Sequence, residues 1–168
     1  MYNWAEYGQD AKAAEFLMAI GDKHKWGLAS RSYHADDICV GQMYIEMYKK
    51  HKKNKMIQPL KERAFYVASH PSDAPLSKND KVGKDTRWSW CDALFMAPPV
   101  YAGLYTLTGE QVYKDYLMSE YKACTDSLYD HAESLYYRDC KRIGLQEPNG
   151  AKQFWGRGNG WVFGGLPL

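Results

Sequence analysis

Apolar side chains recur at three- and four-residue spacing through most of this chain, the period of an amphipathic helix. Over residues 2–20 that spacing predicts a first helix, with Gly21 as its stop. After the loop "WGLASRSYH", Asp36 is placed to cap a second helix with Val40, Met43, Tyr44 and Met47 on its inner face. A third is predicted from about Asn54 to Val67, with Met56, Leu60, Ala64 and Val67 along one side and Pro59 in its early turns, where proline is tolerated.

The pattern then lapses. Residues 69–87, "SHPSDAPLSKNDKVGKDTR", are polar and carry two prolines, which predicts a long loop of the kind that often serves function. Helical spacing resumes near Trp90 and continues through Leu94, Val100, Leu104 and Leu107, with a break expected at Pro98 and Pro99. Thr108 and Gln111 have the spacing of a capping box before a fifth helix with Tyr113, Leu117, Tyr121, Cys124 and Leu128 in its stripe. "SLYYRDC" reads as a short strand or extended segment and "QEPNGAKQF" as a turn or hairpin, before a sixth helix starting in "FWGRGNGWVFGGL". The chain is therefore all-α, about six helices in series, with a short hairpin or extended segment near 135–155.

Composition narrows the picture. The 168 residues, 45% hydrophobic and 25% charged, suit one domain able to bury a core. The net charge of +2 and the scattered basic residues give no footprint for nucleic acid. No stretch approaches the roughly 20 apolar residues of a membrane span, and no apolar leader core follows Met1. Cys39, Cys91, Cys124 and Cys140 form no CxxC pair, so neither a zinc site nor a dense disulfide framework is indicated, and no cofactor is implied. Fourteen tyrosines and six tryptophans are unusual, and such residues often line surfaces that bind amphipathic ligands such as sugars.

One acid stands out. Asp92 lies in "WSWCDALFMAPP", among tryptophans, a cysteine, a phenylalanine and a methionine. Burying an ionised carboxylate costs several kcal/mol unless it is paired, so this acid is either satisfied structurally or held with a shifted pKa for chemistry. A second acidic spot, Asp36-Asp37, lies in "YHADDICVGQMYIEMY". A third motif, "WGRGNGW" at 155–161, sets Arg157 between Trp155 and Trp161 on a glycine-rich backbone, a combination suited to an acidic sugar.

Taken in order, "HADDICVGQMYIEMY", "WSWCDALFMAPP" with "YAGLYTLTGE", and "FWGRGNGWVFGGL" resemble glycoside hydrolase family 105, the unsaturated rhamnogalacturonyl hydrolases, and the related family 88 unsaturated glucuronyl hydrolases. The resemblance implies an (α/α)6 barrel, of which this chain, a single domain over 1–168, would be about half. The stop at "GWVFGGLPL" fits a truncated C-terminus, and the family's opening helices have no counterpart. Such a half, alone, is expected to expose apolar helix faces and to be inactive or weakly stable.

The implied reaction is hydration of the C4=C5 double bond of a 4,5-unsaturated uronic acid on a pectin- or glycosaminoglycan-derived oligosaccharide, with release of that sugar. By motif, Asp92 is the catalytic acid and base, kept protonated by Trp90, Phe95 and Met96 around it. Trp90 and Met96 also shape the cavity by position. Asp37 matches the family's second aspartate, with Asp36 open to an exchange of roles; Arg157 would bind the uronate or its neighbour, and Trp155 and Trp161 would stack on sugar. Arg138 in "LYYRDC" replaces a histidine of rhamnogalacturonyl-type members, and an arginine keeps positive charge without relaying a proton.

The implied partner is thus an unsaturated uronic-acid oligosaccharide, with neither nucleic acid nor membrane, in a periplasmic, secreted or cytoplasmic bacterial enzyme. Two rivals stand beside it: a conventional glycosidase on the same barrel, which requires a second acid across the scissile bond, and a helical-repeat interaction module. No internal period of the repeat kind appears.

Overall fold

The computed structural model describes residues 7–76 and 87–166. Helix α1, Ala11–Lys23, starts at Asp10, whose carboxylate accepts from the Ala13 amide at 3.0 Å. It runs through Gly21 rather than stopping there. Trp26 folds back onto the helix so closely that a Cβ at Gly21 would lie 2.5 Å from its ring, so the glycine is needed for packing. Trp26 is fully buried, and its indole N–H donates to Asp22 at 2.9 Å. The part of the expected first helix before residue 7 lies outside the described residues.

The next two helical stretches share one design. A one-turn helix, α2 at Ala35–Cys39, leads after Val40 into α3, Gly41–His51. Another, α5 at Ala93–Met96, leads after Ala97 into α6, Pro98–Thr108. The α2 cap is His34, whose Nδ1 accepts from the Asp36 amide at 3.3 Å; Asp36, expected as the cap, lies inside the first turn.

The break at Ala97 follows from the proline pair. Pro98 and Pro99 have no N–H, so the carbonyl of Phe95 loses its helical partner, and the Val100 amide turns to Ala97, leaving Met96 free as well. Gln42 of α3 supplies both, its Nε2 donating to Phe95 O and Met96 O at 3.0 Å each. Gln42→Leu is expected to strand these two carbonyls and lower stability by about 1–3 kcal/mol, read from a denaturant midpoint. An unchanged midpoint would mean that water replaces the amide.

Between the two pairs lies α4, Gln58–Ser69, preceded by a 3-10 turn at Asn54–Met56, with Pro59 as its second residue. Helix α7, Gln111–Leu128, follows α6 through Gly109, and its cap position is Glu110. The expected capping box does not form. The Thr108 hydroxyl donates back to Leu104 O at 2.9 Å and accepts from the Glu110 amide at 3.2 Å, so it finishes α6 instead of starting α7.

Helix α6 packs against both α3 and α7, and α4 packs against α7. The core lies between them, with Ile45, Leu60, Val67, Val100, Leu104 and Leu128 essentially inaccessible to solvent. It also holds an acid: Glu120 of α7 is 2% exposed and takes a forked grip from Arg87, Nε and Nη2 reaching Oε1 at 3.0 and 2.8 Å.

After α7 the chain forms a two-stranded antiparallel ribbon, β1 at Tyr129–Asp130 and β2 at Leu135–Tyr136. "SLYYRDC" thus carries one short strand, with Trp90 and Asp139 adding an isolated bridge, and the expected hairpin closes through Gln146 and Lys152. Helix α8, Gly156–Gly165, then packs on α5.

Candidate active site

The one-turn helices α2 and α5 touch, and each brings an aspartate to the same place. Asp36 is the second residue of α2, and Asp92 directly precedes α5. Asp92 stands in a capping position, yet its side chain makes no capping hydrogen bond, so its placement is not explained by helix termination. Burial raises its proton affinity, and the negative charge of Asp36 raises it further; the amides of Asp92 and Ala93 and the charge of Arg157 oppose this without cancelling it. Its carboxyl is therefore held above the ordinary carboxylate range.

A cavity of about 350 Å³ opens over these acids, lined also by Arg31, Arg87, Trp90, Trp155 and Arg157. Its far wall comes from α8 and the residue before it. Trp155 meets Trp90 edge to face at 6.0 Å, and Arg157 lies over the Trp155 ring at 4.9 Å. Gly158 of "WGRGNGW" permits this: a Cβ there would fall 2.2 Å from the Trp155 ring and 2.7 Å from Cys91 Sγ. Asn159 fixes the helix to β2, its Oδ1 accepting from Tyr136 N at 2.8 Å and its Nδ2 donating to Tyr136 O at 2.9 Å.

Asp37 is elsewhere. It is buried and bound by Arg31, whose backbone N, Nε and Nη2 donate to it at 2.8, 3.0 and 2.5 Å. Burial pushes its carboxyl up, but the Arg31 hydrogen bonds outweigh that and hold it below the ordinary range, as a permanent anion. Of the two adjacent acids, Asp36 lines the cavity and Asp37 orients Arg31, which lines it too.

A second cavity, of about 380 Å³, shares Trp90, Trp155 and Arg157 with the first and adds Arg138, Arg142 and Gln153. Arg138 stacks over Trp90 at 4.3 Å while its Nε donates to the buried Asp139 at 2.6 Å. The Cys91 amide donates to Arg138 O at 2.9 Å, tying this segment to the residue beside Asp92.

Five of the eight residues singled out from sequence, Trp90, Asp92, Arg138, Trp155 and Arg157, thus line two adjoining cavities. The other three do not line them. Met96 offers its carbonyl to Gln42, Asp37 holds Arg31, and Trp161 packs on Phe95 with ring centroids 4.7 Å apart. Arg31, Arg87 and Arg142 carry no motif of their own and were not expected. Among the described residues no group of three or more His, Cys, Asp or Glu is arranged to hold a metal, and the four cysteines form no disulfide.

Comparison with known proteins decides the family. The profile of Glycosyl Hydrolase Family 88 matches residues 1–168. The chain belongs to this family. An unsaturated 3S-rhamnoglycuronyl hydrolase of Alteromonas sp. (strain LOR) is 31% identical over 98% of the chain and 43% of its own length. One of the same name from Formosa agariphila is 38% identical over 86% of the chain and 41% of its own length. The chain spans less than half the length of these relatives.

Among solved structures, a protein named as a polysaccharide lyase superposes with a TM-score of 0.81 at 25% identity, covering 94% of this chain and 46% of that one. A family 88 hydrolase from Bacteroides vulgatus gives 0.79 at 25% identity, covering 98% and 51%. The fold is the α/α barrel of the family 88 members, and these helices correspond to about half of it.

Proposed function

We propose that the protein hydrates the C4=C5 double bond of a 4,5-unsaturated uronic acid at the end of an oligosaccharide, releasing that sugar. The observation that carries this reading is Asp92: half-buried, unused as a cap, and with its proton affinity raised by burial and by Asp36, in a cavity rich in arginine. Membership of family 88 and two relatives named as unsaturated rhamnoglycuronyl hydrolases support it.

Neutral Asp92 gives its proton to C4, and the ring oxygen shares the positive charge that develops at C5. The resulting carboxylate takes a proton from the water that adds to C5, which restores the acid. The hemiketal opens to a C5 ketone, and collapse of the exposed hemiacetal at C1 expels the aglycone. Arg157 is available to pair with the uronate carboxylate, which guanidinium binds through two parallel hydrogen bonds, while Arg31 and Arg87, their forks held by Asp37 and Glu120, add positive charge to the cavity. Trp90 and Trp155 supply apolar walls for the sugar faces.

Asp36 has a supporting part in this scheme. Its charge raises the proton affinity of Asp92, and the rate falls as pH rises and deprotonates Asp92. Asp36→Asn is therefore expected to move the alkaline limb of the kcat/KM profile to lower pH. A limb that stays in place would remove Asp36 from the role.

The unsaturated uronide has a conjugated chromophore that absorbs in the ultraviolet, and its hydration product does not. Steady loss of that absorbance with aglycone release supports the proposal; release from saturated uronides at equal rate would replace it with a two-carboxylate glycosidase using Asp36 and Asp92. A gain of absorbance from an intact uronan would indicate the lyase reaction named for one structural neighbour.

A further inference from the structure

Among the titratable side chains lining the Asp92 cavity, His34 is the one that the proposed reaction leaves unused. It caps α2, its Nδ1 accepting from the Asp36 amide at 3.3 Å. Serine, threonine, asparagine and aspartate are the usual residues at such a position, so capping alone does not explain a histidine there.

The cap decides what the other ring nitrogen does. An amide N–H only donates, so Nδ1 must carry a lone pair, and the neutral imidazole then keeps its proton on Nε2. Burial lowers the proton affinity of the ring; the charges of Asp36 and Asp37 oppose this, Arg31 reinforces it, and the net shift favours the neutral form. The side chain is 26% exposed, and among the described residues no hydrogen bond or ion pair engages Nε2. The Nε2–H is thus a donor held at the cavity wall without a partner in the protein.

The segment around His34 is closed by its own hydrogen bonds. The Arg31 amide donates to Asp37 Oδ2 at 2.8 Å, the His34 amide to Arg31 O at 3.3 Å, and the Asp37 amide to His34 O at 3.1 Å. Beside it, the Tyr33 hydroxyl donates to His70 O at 2.7 Å and ties the segment to the end of α4. Backbone and ring are fixed before a ligand arrives, which keeps the ordering cost of binding small.

The surroundings select the kind of acceptor. Asp36 Oδ2 lies 3.7 Å from Nδ1, and its charge makes this corner unfavourable for the uronate carboxylate, which Arg157 serves from the far wall. A neutral acceptor, a sugar hydroxyl oxygen, suits a neutral donor placed there.

We infer that His34 is a substrate-binding residue whose Nε2–H donates to one of the two ring hydroxyls of the unsaturated uronide, at C2 or C3. This rests on the reading of the cavity as the uronide site.

The test separates the cap from the donor. His34→Asn keeps a good cap, because Asn Oδ1 also accepts from the Asp36 amide, and its side chain ends short of the place of Nε2. Its Tm is expected to stay near that of the wild type. Asp92→Asn protein, with and without His34→Asn, is titrated calorimetrically with an unsaturated uronyl disaccharide and with its 2-deoxy and 3-deoxy uronide forms. With His34 present, one deoxy form is expected to bind about three- to tenfold more weakly than the parent, the worth of one hydrogen bond. With His34→Asn the parent is expected to weaken by that factor and the penalty for the same deoxy form to vanish. His34→Ser, another good cap, is the second variant and is expected to behave alike.

Unchanged affinity for the parent in both variants, or deoxy penalties that are the same with and without His34, would overturn the inference and leave His34 a cap. If the wild type hydrates the disaccharide in that case, the proposed reaction stands without it. A coupled loss in a protein whose wild type hydrates none of the sugars would keep His34 as a binding residue and remove the reaction, and absence of binding altogether would remove both.

Discussion

Asp92→Asn is expected to lower turnover of an unsaturated uronide by a factor on the order of a thousand or more, the range attributed to a positioned general acid and base. Asparagine keeps the shape and size of the side chain and loses the proton that C4 must receive. The same substitution is expected to leave the fold intact and to raise stability at pH above the folded pKa of Asp92. The sign follows from the shift. A carboxyl whose proton is held more tightly in the folded protein stabilises it fully at pH below the unfolded pKa, and that contribution is lost as pH rises through the folded pKa. Above the folded pKa the wild type has lost it, and there the neutral amide removes the half-buried charge. Thermal denaturation beside the activity assay checks both halves: an inactive variant that is also unstable would assign Asp92 a structural role.

The largest effect on stability is expected at the other acid in the core. Glu120→Ala leaves the Arg87 guanidinium, about one-fifth exposed, without its partner next to Tyr101 and Tyr116. Removing one member of a buried pair costs about 3–5 kcal/mol, because the remaining charge stays desolvated. For a chain of this size that corresponds to a fall in Tm of roughly 10 °C. Arg87 also lines the Asp92 cavity, so activity should fall with it. The double variant Glu120→Ala/Arg87→Met is expected to be more stable than Glu120→Ala, since no orphan charge remains. A double variant no better than the single one would show that the cost lies in packing around Glu120.

The helices were legible because their signal is periodic and local. Of the core positions named from spacing, Leu60, Ala64, Val67, Val100 and Leu104 are at 0% exposure, while Val40, Met43, Leu107, Leu117 and Tyr121 are partly buried at its edge. The misreadings lie where a local signal competes with a distant contact. Gly21 has the chemistry of a helix stop, but Trp26 folding back uses the missing side chain for space. Thr108 and Gln111 have the spacing of a capping box, but the hydroxyl finds Leu104 one turn earlier.

The site divides in the same way. Asp92, Trp90, Trp155 and Arg157 were legible because they lie in contiguous motifs. Neighbouring residues on a helix point about 100° apart, and of the adjacent Asp36 and Asp37 only Asp36 lines the cavity. Which does is decided by Arg31, six residues upstream and outside any motif. Arg142 and Gln153 reach the second cavity through a hairpin whose turn was readable but whose direction depends on Asp130 and Lys152. The order of the three motifs carried the family, and membership was then shown by the match over residues 1–168.

The proposed reaction requires that water add across the double bond before the glycosidic bond opens. Proton magnetic resonance in deuterium oxide, followed from the first turnover of an unsaturated uronyl disaccharide, reads this directly. Hydration predicts that the vinyl proton signal at C4 disappears no later than the free aglycone appears, with one deuterium delivered to C4 of the released sugar. Aglycone accumulating while the vinyl signal persists would contradict it, because the glycosidic bond would then have been cut with the double bond still in place.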